Sequence, residues 1–124
     1  MAHKALVISN SNEWVRIKPE RIVYISSEGN YSTVVLHDKT EHTFLMNLSR
    51  CQSVLAAQLG EDAVSFIRLG RQLIINRDYI YMVNLNKQQL VLSDMAFNEA
   101  FTLQASREAL KQLISLMEVV KEEL

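Results

Sequence analysis

The feature that most constrains this chain is the rhythm of its apolar runs. Short β-branched and aromatic stretches follow one another closely, with turn formers between them. Residues 5–9 (ALVIS) and 13–18 (EWVRIK) flank Asn10, Ser11 and Asn12, which predicts two strands around a turn. In the second run Val15 and Ile17 alternate with Trp14, Arg16 and Lys18, the period of a strand with one face in water. Pro19 suits the first position of a single helical turn. Further strands are expected at 22–26, 31–37 and 42–46, with a loop over 27–30 and a hairpin turn over 38–41. Another series follows at 66–69, 73–76, 79–85, 89–93 and about 100–103.

Two segments break this rhythm. Leu48, Cys51, Val54, Leu55 and Leu59 recur at helical spacing, with Asn47 or Ser49 as candidate cap and Gly60 as stop. Leu110, Leu113, Ile114, Met117, Val120 and Leu124 form a second stripe behind the candidate cap Ser106, with Glu108 in its first turn. Extended over 107–124 this helix would reach ~27 Å. Sequential strands joined by tight turns pair antiparallel, because parallel pairs need long crossovers. The expected fold is therefore mainly β with short helices (α+β), with predominantly antiparallel sheets, one mid-chain helix and one C-terminal amphipathic helix.

The chain has 124 residues, which fits one domain over 1–124. Such a domain buries roughly two-thirds of its unfolded surface, enough for a core without disulfides. The single Cys51 allows no internal disulfide and fits a reducing compartment, so a cytoplasmic location is expected. No apolar run approaches the ~20 residues of a membrane span. With 13 Lys and Arg against 14 Asp and Glu the net charge is −1, so any anion site must come from local clustering.

The chemistry-bearing patterns are few. There is no nucleophile elbow, and the three glycines stand singly at 29, 60 and 70, which leaves no phosphate cradle. Neither catalysis, a cofactor nor a small-molecule substrate is expected. His37, Asp38, Glu41 and His42 bracket one turn, where solvated polar residues also collect; no metal is expected there. The distinctive segment is 66–80, FIRLGRQLIINRDYI. Arg68, Arg71 and Arg77 fall within it without an intervening acid. Asp78 follows Arg77 and suggests a structural pair, whereas Gly70 permits a sharp turn that would lift Arg71 out at a tip.

This segment resembles the hallmark stretch of the LytTR family of bacterial DNA-binding domains, Phe-x-Arg-x-His-Arg-Ser-x-x-Val-Asn-x-x-x-Ile. Upstream, Ile22 to Tyr31 (IVYISSEGNY) is similar to the family's Ile-x-Tyr-Ile-Glu-Ala-x-Gly-Asn-Tyr element, and Ser106-Arg107 resembles its Ser-Arg pair. The matches fall in order over about 13–115. Gly70, Gln72 and Ser26 replace the family's His, Ser and Glu, and Glu108 stands where many members keep a base. The resemblance implies LytTR-like sheets and the role of a response-regulator output domain. Its loops would enter successive major grooves of promoter DNA. It places Asn30 and Ser32 in a first DNA-facing loop, Arg71 and Gln72 in a second, and Arg107 at the start of the last helix. Lys18, Arg107 and Lys111 would neutralise phosphates. Arginine at a tip can grip guanine O6 and N7, worth ~1–3 kcal/mol of discrimination. The expectation is thus a sequence-specific transcriptional regulator that binds double-stranded promoter DNA. The alternative is a protein-interaction or homodimerisation module using the outer part of the C-terminal helix, with its DNA contacts eroded.

Overall fold

The computed structural model describes residues 4–95 and 100–117. Strands β1 (Leu6–Ser9) and β2 (Trp14–Ile17) form an antiparallel ribbon. Its turn is held by Asn10, whose Oδ1 accepts the amides of Asn12 and Glu13 at 2.8 Å. Pro19 opens a single 3-10 turn, Pro19–Arg21. Then come β3 (Ile22–Glu28), β4 (Tyr31–Leu36), β5 (Glu41–Leu45) and helix α1 (Leu48–Leu59). After a 3-10 stretch at Gly60–Ser65 the chain makes β6 (Phe66–Leu69) and β7 (Leu73–Asn76), then β8 (Ile80–Asn84), β9 (Gln89–Ser93), β10 (Ala100–Gln104) and helix α2 (Arg107–Ser115).

The central sheet has the order β5-β4-β3-β7-β6, and β10-β9-β8 form a second sheet. All pairings are antiparallel. The two middle strands serve a core on each face. On one face Ile25 and Ile74 are paired neighbours packed with Leu6, Ile17, Val34, Phe44 and Leu55, beneath α1 and the β1–β2 ribbon. On the other, Leu69 and Ile75 meet Leu90 and Leu92 of the second sheet and Leu110 and Leu113 of α2. In β7 period-2 alternation serves both layers, and in β3 a bulge between Ile22 and Tyr24 sends Ile22 and Ile25 to one face and Val23 and Tyr24 to the other.

Several boundaries differ from expectation. Ser27 and Glu28 are strand residues paired with Ser32 and Tyr31, so the turn shrinks to Gly29 and Asn30. Asn47, not Ser49, caps α1, accepting the Arg50 amide at 2.8 Å. Helix α2 is described to Ser115, with Leu116 as its C-cap, instead of running on as one helix from 107 to 124. Of the expected stripe, Met117 packs half-buried against the second core, while Val120 and Leu124 lie outside the described residues. Among the described residues no helix is long and apolar enough to cross a membrane.

Candidate nucleic-acid interface

Strand direction decides which turns share one end of the molecule. The β3–β4 turn (Gly29-Asn30) and the β6–β7 turn (Gly70-Arg71-Gln72) lie side by side, because Ser26 of β3 pairs with Leu73 of β7. The Ser27 amide also donates to the Gln72 carbonyl at 2.9 Å. With strands ~4.8 Å apart, the two tips are separated by about two strand spacings, ~10 Å. Gly70 adopts φ +66°, the left-handed conformation that the tight turn requires.

Arg68 answers the question of what a guanidinium does inside a β segment. It donates to the carbonyls of Gly70 at 3.0 Å and Arg71 at 3.3 Å, and to Gln52 Oε1 at 3.2 Å and Ser49 Oγ at 3.5 Å. This fork ties the β6–β7 turn to the first turns of α1. Arg68 is a brace; Arg71, exposed at the tip, has no side-chain partner among the described residues.

The start of α2 borders the same turn. Leu69 to Leu73, Gln104, Ala105, Ser106 and Ala109 line a shallow groove of about 350 Å³ between them. Ser106 caps α2 by accepting the Ala109 amide at 3.1 Å. Arg107, its first residue, reaches the β8–β9 turn with Nη1 3.5 Å from Asn86 Oδ1. The Ala105 amide donates to the Gln88 carbonyl at 3.2 Å and fixes that turn alongside. Lys111, exposed, follows one helical turn behind Arg107. Both helix N-termini, with their partial positive charge, therefore open near this end.

The structure thus brings together Asn30, Arg71, Gln72, Arg107 and Lys111. It separates two others. Ser32 is fully buried and its hydroxyl donates to the Met46 carbonyl at 2.7 Å, so it cannot face a ligand. Its place in β4 points it inward, opposite Phe44. Lys18 precedes β3, at the far end of the sheet, ~20 Å along the strand from the tips. Arg77 forms no ion pair with Asp78 among the described residues; the Asp78 amide instead donates to Asn76 Oδ1. Consecutive residues of the 3-10 turn point ~120° apart, which explains the failure of that pair.

Two cations were missed in the sequence. Lys87 sits exposed in the β8–β9 turn beside Arg107's partner Asn86, and Arg50 is exposed in the first turn of α1. Only the chain reversal that puts these turns at one end reveals them, although the turn at Asn86-Lys87 itself is legible. At the opposite hairpin, Arg21 donates to His37 Nε2 and Asp38 Oδ2, each at 3.2 Å, so two of the four candidate metal ligands serve an arginine.

Turn tips and a helix N-terminus aligned at one end of a stacked β core, carrying cations without carboxylate partners among the described residues, define a class: small β domains that meet an anionic polymer through loops. A family model described as the LytTr DNA-binding domain matches residues 12–118. The chain belongs to the LytTR family. Among solved structures it is similar to one described as the LytTr DNA-binding domain of a methyl-accepting/DNA response regulator from Bacillus cereus. The TM-score is 0.62 at 17% identity, with 93% of this chain and 97% of the other covered, which establishes a shared fold. No curated protein matches the chain.

Proposed function

We propose that this chain is a sequence-specific regulator of transcription that reads double-stranded DNA in the major groove through its aligned turns. The observation that carries this reading is Arg71: exposed, without a side-chain partner among the described residues, and held at a glycine-formed tip by the Arg68 fork. Arg71 would grip guanine O6 and N7, and Gln72 and Asn30 would offer amide pairs suited to adenine. Arg107, Lys111, Lys87 and Arg50 would hold flanking phosphates, which set register without reading sequence. Tips ~10 Å apart fit within one major groove ~12 Å wide, with the α2 end continuing the row.

The test is selection of bound duplexes from a random pool, followed by anisotropy titration on the enriched site. Arg71→Ala should cost ~1–3 kcal/mol on that site and little on random DNA. Replacing the contacted guanine by 7-deazaguanine should reproduce the loss in the unmodified protein and add nothing to Arg71→Ala. Equal affinity for selected and random duplexes would refute the reading.

A second reading, an interaction module with eroded DNA contacts, has one observation behind it. Tyr31 and Leu45 are paired neighbours at the β5 edge of the central sheet and are 54% and 73% exposed. Light scattering that shows concentration-dependent association, removed by Leu45→Glu, would favour it.

A further inference from the structure

The outward stripe of the β1–β2 ribbon is unused by the interface above. Period-2 alternation sends Val15 and Ile17 into the core and leaves Trp14, Arg16 and Lys18 outside. Val7 stands opposite Arg16 and Ser9 opposite Trp14, so the outer face is one continuous surface. It runs into a groove of about 440 Å³ lined by Lys4, Ala5, Arg16, Lys18 and Arg21. Four of these five lining residues are cations and none is a carboxylate.

The cations are partly committed, and the commitments shape the site. Lys4 Nζ donates to the Leu59 carbonyl at 3.2 Å, against the C-terminus of α1. Arg21 shares its guanidinium with His37 and Asp38. Arg16 lies with its guanidinium carbon 5.6 Å from the centroid of the Trp14 ring, which is 61% exposed. Lys18, exposed, has no side-chain partner among the described residues. The result is a floor of tethered cations, Lys4 and Arg21, with two outward cations, Arg16 and Lys18, beside a large exposed aromatic ring. In a chain of net charge −1, this concentration of positive charge is local and separate from the tips.

We propose that this face docks an acidic polypeptide segment of a partner protein, with carboxylates over Arg16 and Lys18 and an apolar side chain against Trp14. The position favours protein over DNA as the occupant. The groove sits at the opposite end of β3 from the recognition turns, ~20 Å away along the strand. A duplex lying across the tips leaves it exposed, so DNA and the acidic segment can be held together. Exposed Trp with neighbouring Arg is also the composition enriched where proteins anchor one another.

The experiment uses the full chain and two labelled probes, an oligo-glutamate peptide carrying one phenylalanine and the selected duplex. The expected result is that the peptide binds the free and the DNA-bound chain alike. The double substitution Arg16→Glu, Lys18→Glu should lower peptide affinity at least about tenfold while duplex affinity stays unchanged. Should that variant melt abnormally, Lys18→Ala and Trp14→Ala take its place, each expected to weaken the peptide alone. Absence of peptide binding, or binding indifferent to these substitutions, overturns the proposal. Loss of duplex affinity in the double variant also overturns it, because the groove would then be a phosphate contact. A chain that binds peptide but no duplex would leave this proposal standing and remove the DNA-reading one.

Discussion

Asn30 and Ser32 lie two residues apart yet have opposite fates, because Asn30 sits in the β3–β4 turn and Ser32 lies within β4 on its inward face. Asn30 occupies the turn and is exposed, whereas Ser32 opens the inward series Ser32, Val34, Leu36. The quoted motif includes Asn30 and ends at Tyr31, one residue before Ser32, and a family pattern read as a string does not say which side chain the pleat turns inside. The Ser32 hydroxyl satisfies the Met46 carbonyl just before α1 begins, and it also faces the Cys51 thiol. Ser32→Ala removes the donor to that half-buried carbonyl and should cost ~1 kcal/mol by urea denaturation. The same variant should bind the selected duplex as the unmodified chain does. A loss of affinity without loss of stability would return Ser32 to the interface.

At the scale of elements, most of the architecture was legible because strands here are short, β-branched and bounded by turn formers. Residues 66–69, 73–76 and 89–93 are strands with the expected limits. The misses have physical causes. Ser27 and Glu28 are polar, yet pairing with Ser32 and Tyr31 keeps them in the ladder. Alternation in β2 reveals a solvated face but not the end of the sheet to which Lys18 belongs. The role of Arg68 was also hidden, since its partners Gln52 and Ser49 lie on α1, distant in sequence. Its bonds to the Gly70 and Arg71 carbonyls make the β6–β7 turn and α1 one unit. Arg68→Lys keeps the charge but loses the planar fork that reaches several acceptors. We expect Arg68→Lys and Arg68→Ala to weaken duplex binding alike, with faster amide exchange at residues 70–72. Substantial recovery by lysine would mean that charge, not bracing, is what Arg68 supplies.

Across the whole molecule, both cores share β3 and β7, so unfolding one face removes the support of the other. Three groups link this packing to pH. Burial is the main cause raising the Cys51 thiol above its ordinary 9.0 and the phenols of Tyr24 and Tyr79 above 10.0, with nearby carboxylates adding to the tyrosines. A raised acid favours the protonated form in the fold, so its contribution is complete below the ordinary value and lost as pH climbs through the folded one. Urea midpoints should therefore hold to about pH 9 and fall beyond it, and Cys51→Ala should delay the onset. Salt is the companion probe of the interface. Net charge of −1 gives no general attraction to DNA, so each phosphate contact must come from a specific cation and adds ~0.9 to the slope of log affinity against log salt. Position then predicts which substitutions matter. Lys87→Ala and Arg107→Ala, at the aligned turns, should each lower the slope by ~1, while Lys18→Ala, at the other end of the sheet, should leave it unchanged. If removing Lys18 flattened the slope as much as removing Lys87, the duplex would have to run along the strands instead of across their tips.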